Sequence, residues 1–212
     1  MMKKRNLLFA LLLAMVMFIT ACGNSDQTVE GKWVGSLDLT KQFEDGVREA
    51  HPSLAEYIDF DNLLLKMDIA FVDGQMSIDV QQDSIDAFNT NFTEGMHAIA
   101  LGYWEAGLAQ IDVTLEEAIY ESGMTEEAYM EYIYKETGID KMIESMSTIT
   151  TDTLDVLSEM KGTYTTPVAK ELRLYHSEDE YESMEYQFKG TKLNITIKGD
   201  KFELLIQCDR AK

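Results

Sequence analysis

Basic residues are scarce in this chain: 18 Lys and Arg stand against 38 Asp and Glu, a formal net charge of −20. Such a surface has no counter-charge for a phosphate backbone, so nucleic acid is excluded as a partner. Long apolar runs are missing as well. The apolar stretch Leu7 to Ile19 is thirteen uncharged residues long, whereas a helix needs roughly 20 to cross a bilayer of about 30 Å. No HExxH, CxxC, GxSxG or glycine-rich phosphate loop occurs, which removes the usual signals for metal, thiol, serine and nucleotide chemistry. Histidines number three, and His51, His97 and His176 lie far apart. Carboxylate pairs such as Asp59 with Asp61, or Glu178 with Glu182, sit in polar turn-like runs, where solvation keeps them from acid–base work. No enzyme and no cofactor is expected. With only two prolines and abundant Tyr, Phe and Met, the composition suits one well-packed domain or a domain with a large insertion.

What is present begins with an export signal: Lys3, Lys4 and Arg5, the apolar run, then Thr20-Ala21-Cys22-Gly23. The run Ile19-Thr20-Ala21-Cys22 resembles the lipobox of bacterial lipoproteins. That resemblance implies removal of residues 1–21, acylation of Cys22 (a palmitate-type modification) and a mature protein held by its lipid anchor on the extracytoplasmic face of the cell membrane. Two or more acyl chains hold firmly, at about 0.8 kcal/mol per buried CH₂. Residues 22–30 then serve as a tether. Removal of the leader leaves 15 basic against 38 acidic residues, a net charge of −23. Cys208 is left without a partner for an internal disulfide, and its place on an apolar strand face makes it a buried structural thiol.

Strand signals occur in two blocks, 31–82 and 161–212. Gly31 to Leu39 puts Trp33, Gly35, Leu37 and Leu39 on one face. Leu63–Val72 and Gln75–Gln82 flank Asp73-Gly74, a two-residue hairpin signal. Leu65, Met67, Ile69 and Phe71 are answered across it by Met76, Ile78 and Val80. In the second block Leu172 and Leu174, then Met184, Tyr186 and Phe188, then Leu193, Ile195 and Ile197, then Phe202, Leu204, Ile206 and Cys208 keep the same period of two. Three strands and then five sharing one apolar face predict a closed antiparallel eight-stranded barrel, since closure removes the exposed edges. Gly31-Lys32-Trp33 resembles the Gly-x-Trp of the lipocalin and wider calycin families. The resemblance implies that Trp33 closes one barrel end and that Arg210 packs on it.

Between the blocks, residues 83–160 show helical periodicity. Gln42 to Ile58, with Phe43, Val47, Ala50, Leu54 and Ile58 at helical spacing around Pro52, forms one or two short helices over a barrel end. Ile85, Phe88, Phe92, Met96, Ile99 and Tyr103 predict a long amphipathic helix capped by Asp83 or Ser84. Thr114-Leu-Glu-Glu117 is a capping box for a second helix ending at Gly123; a third runs from Met124 or Thr125 to Gly138, and Ile139 to Met160 supplies one or two more. The fold class is therefore α+β, a lipocalin-like barrel with an all-α insertion between strands 3 and 4. This insertion holds 17 acidic residues against Lys135 and Lys141. The stretch Thr114 to Tyr129 also resembles helical repeats of trigger-factor-like and extracytoplasmic chaperones.

Two functions follow. The first is a non-catalytic binding module for an apolar small molecule or lipid. Its contact residues would be Met67, Ile69, Met76, Ile78, Tyr186 and Phe188 inside the barrel and Phe88, Phe92 and Met96 on the long helix above it. The alternative is a chaperone-like or adaptor lipoprotein that binds polypeptide on the acidic helices. An open apolar lumen favours the first; a filled one with an exposed Met/Tyr groove on the helices favours the second.

Overall fold

A computed structural model describes residues 28–177, 180–198 and 203–211. Eight strands alternate as the period-two pattern requires: β1 (Gly31–Asp38), β2 (Leu64–Val72), β3 (Gln75–Val80), β4 (Gly162–Thr165), β5 (Glu171–Tyr175), β6 (Tyr181–Lys189), β7 (Lys192–Lys198) and β8 (Glu203–Arg210). Each pairs antiparallel with its neighbour in sequence, and β8 returns to β1, with Trp33 opposite Arg210 and Leu37 opposite Ile206, so the barrel is closed. In β2 the alternation is complete, with Leu65, Met67, Ile69 and Phe71 buried and Lys66 and Asp68 exposed. Closure pairs each strand with a neighbour on both sides, although β4 meets β3 along only part of its length.

The first helices leave from one barrel end. Helix α1 (Thr40–Ala50) starts two residues after β1 and stops before Pro52, which opens a short 3-10 turn over Pro52–Tyr57. Helix α2 (Gln82–Ala109) leaves directly from β3. Neither Asp83 nor Ser84 caps it: the cap position is Gln81, without a side-chain bond. The Ser84 hydroxyl instead accepts from Lys66 N at 2.6 Å and donates to the Leu64 carbonyl at 3.2 Å, which ties the first turn of α2 to the rim of β2. A rim strand with groups to satisfy outcompetes the helix's own terminus for that hydroxyl.

Helix α3 (Leu115–Ser122) opens on the expected capping box, with Thr114 and Glu117 bonding each other's backbone, and Gly123 ends it at φ 69°. Helix α4 (Glu126–Thr137) is capped by Thr125 and ends at Gly138. Ile139 to Glu159 is a single helix, α5. It packs along β3, where β4 cannot: β4 meets β3 only at Gln75–Thr163 and Met76–Gly162. Leu157 and Met160, at the end of α5, are buried. Among the described residues no helix is long and apolar enough to cross a membrane. The lipobox, Cys22 and the inward position expected of Phe202 lie outside the described residues.

Candidate functional site

The barrel lumen is filled by its own side chains. Met67 is 0% exposed, Ile69 1%, Met76 and Ile78 2%, and Leu65, Leu172, Leu174, Leu193, Ile195 and Ile206 are all at 0%. A void able to hold a ligand would leave its walls accessible to water, and these walls are not. The centre is tight enough to need a glycine: a Cβ on Gly35 would lie 2.8 Å from Ile206 Cγ2, 2.9 Å from Ile69 Cδ1 and 3.0 Å from Met67 Cγ. Eight strands are just wide enough either to be filled or to admit one small molecule, and branched and thioether side chains of this size decide for filling. Four of the six contacts expected inside the barrel, Met67, Ile69, Met76 and Ile78, are core.

Phe88, Phe92 and Met96 are buried too, but against a partner that periodicity does not reveal. Phe43 of α1 meets both rings edge-on, at 5.5 Å from Phe88 and 5.2 Å from Phe92, and Phe60 stacks on Phe92 at 5.6 Å. Gly95 lets α2 come down on Phe60: a Cβ there would fall 2.5 Å from Phe60 Cδ1. The apolar stripe of α2 therefore closes over α1 and the Phe60 loop, with no ligand space between it and the barrel. Tyr186 and Phe188 are half-buried and lie towards the opposite end, with Phe188 6.2 Å from Trp33. So the nine expected contacts do not converge: they divide among lumen, helix layer and the Trp33 end. At that end Trp33 is buried and the Arg210 guanidinium sits over its ring at 4.8 Å, a cation–π contact.

Space for a ligand exists elsewhere, between α1 and α5. Helix α1 contributes Gln42, Phe43, Gly46, Val47 and Ala50, with His51 just beyond it; Gly138 and α5 contribute Lys141, Met142 and Ser145. The groove has a volume of about 700 Å³, within the roughly 300–1,000 Å³ usual for small-molecule sites. Its origin is in the side chains: Phe43 and Val47 turn inward to the core, while the facing positions are Gly46, Ala50, Gly138 and Ser145, too small to bridge the gap. A Cβ on Gly46 would meet nothing within 4 Å. The walls are mostly carbon, and Lys141 and His51 are the titratable groups on them. Sequence reading had placed Phe43, Val47 and Ala50 on a helix face but could not set them against residues nearly a hundred positions later.

The helices also bring together groups that the sequence scatters. His97 of α2 stacks on Tyr134 of α4 with ring centroids 3.9 Å apart and planes 3° from parallel. Burial holds the His97 pKa below its ordinary 6.5, and the nearby Asp140 carboxylate opposes that only in part. Burial, assisted by Asp209, pushes the Cys208 thiol up to about 12, which leaves it unreactive at neutral pH. Among the described residues no cluster of three or more His, Cys, Asp or Glu is arranged to hold a metal ion.

Fold and groove together define an α+β protein whose closed, filled barrel supports a helical layer with an apolar cleft. In comparison with known proteins, the chain matches no family model, no curated protein and no solved structure.

Proposed function

We propose that this is a cell-envelope lipoprotein that binds an apolar small molecule or lipid without chemical change, and that it does so in the groove between α1 and α5. The envelope assignment rests on the run from Lys3 to Cys22. The observation that carries the binding reading is the groove itself: about 700 Å³ of carbon-lined space beside a barrel whose inward side chains are buried. Small apolar sites form where rigid elements flank one another without packing, and α1 and α5 line the two sides of this space. The barrel is a scaffold in this reading.

Gly46→Trp tests it. The indole would project into the open groove, and replacing a helical glycine favours the helix by up to about 1 kcal/mol, so the variant folds. Uptake of the uncharged fluorescent probe N-phenyl-1-naphthylamine is expected in the wild type and lost, by at least about tenfold in affinity, in the variant. Equal uptake by both proteins overturns the groove assignment. The second reading, polypeptide binding on the acidic helices, is favoured by the filled lumen together with Tyr120 at 87%, Met124 at 45% and Tyr132 at 38% exposure on and between α3 and α4. It takes precedence if the wild-type protein binds no probe but binds a basic peptide.

A further inference from the structure

We infer that the ligand of this groove is a single-chain amphiphile with a carboxylate head, held by Lys141 with His51 alongside, its chain lying along Gly46, Ala50 and Met142. The inference rests on the binding reading above and specifies its ligand class.

Charge contrast carries it. The chain has 38 acidic residues, yet none of the ten residues lining the groove is Asp or Glu. Lys141 is one of two basic residues among 17 acidic ones between 83 and 160, and it stands on the wall of the one carbon-lined groove described above. The basic residues on α1 are committed differently: Lys41 Nζ and Arg48 Nη1 both hold Asp45, at 3.2 and 3.4 Å. Among the described residues Lys141 makes no ion pair, so its ammonium is available to a bound anion. A cationic ligand would find carboxylates over much of this surface and no reason to choose the groove, whereas the net charge of −20 disfavours an anion at large. An attractive charge beside the apolar space then gives selectivity through repulsion at competing sites.

The head is a carboxylate rather than a phosphate on charge balance: one ammonium, Lys141, matches a singly charged head, and no second Lys or Arg lines the groove to offset a doubly charged one. One chain rather than two follows from the volume, which lies in the range of a single small ligand.

The experiment uses the purified, delipidated full chain loaded with N-phenyl-1-naphthylamine and displaced by dodecanoic acid, dodecanol or dodecylamine. In the wild type the acid should displace at a concentration about two- to fivefold below the alcohol, the range expected of a solvent-exposed ion pair, and the amine should be weakest. Added salt should narrow the difference. Lys141→Glu should invert the order of acid and amine, and Lys141→Arg should keep it. If the alcohol or amine displaces as well as the acid, or if Lys141→Glu leaves the order unchanged, the head-group inference is overturned while the groove reading stands. If neither the probe nor any of the three compounds binds, the groove reading falls and this inference with it.

Discussion

A methyl group added at Gly35 has nowhere to go, while one added at Gly46 meets open space, and the two glycines therefore make opposite predictions. Gly35→Ala forces its Cβ to within 3.0 Å of three core atoms, in a lumen with no slack to absorb it. Overpacking of this kind costs about 1–3 kcal/mol, so the urea midpoint should fall. Gly46→Ala, on the open side of α1, should raise stability by about 0.5–1 kcal/mol through helix propensity alone. Equal midpoints for the two variants would mean that the barrel centre is looser than its side chains imply. Nothing in the local sequence separates the two residues. Gly35 alternates with Trp33 and Leu37 as any strand residue would, and only Ile206 from β8 with Ile69 and Met67 from β2 make it obligatory.

At the scale of elements, the contact between α2 and α4 is pH-sensitive through His97. Its folded pKa is lowered by burial, so the neutral ring is the form that folding favours. The stability this contributes is fully present above about pH 6.5 and is lost as pH falls from there through the folded value, because the unfolded chain binds a proton that the folded one resists. His97→Phe retains a flat ring against Tyr134 and cannot titrate. Between pH 7.5 and 5, on the order of neutral to mildly acid, the wild type should lose stability relative to this variant in paired denaturant titrations; parallel pH profiles would refute the assignment. The helices that carry these rings were legible in advance, because the Thr114 capping box, Thr125, Gly123 and Gly138 act within a few residues of themselves. Ser84 was misjudged for the converse reason. Its partners, Lys66 N and the Leu64 carbonyl, are about twenty positions away.

For the molecule as a whole, the proposed membrane attachment would depend on Cys22 and on no element of the barrel. Cys22→Ala is expected to abolish acyl labelling and to release or stall the precursor, as read by metabolic labelling and membrane fractionation; attachment that survives through the apolar run would refute a lipid anchor. The sequence by itself determined the eight strands, their shared apolar face and the approximate bounds of the helices, because a period of two or of 3.6 is written between neighbouring residues. It also determined the formal net charge of −20. Tertiary structure alone decided the rest. Whether the lumen is open or filled depends on how Met67, Ile69, Leu174 and Ile195 interdigitate from four strands, and volume is a property of the assembled set. Whether the stripe from Phe88 to Met96 is a ligand surface or an interior face depends on Phe43 and Phe60, which come from other segments. The groove exists only because Gly46 and Ala50 on α1 stand across from Gly138 and Ser145 at α5. A gap between two elements belongs to neither, and no stretch of chain encodes it alone.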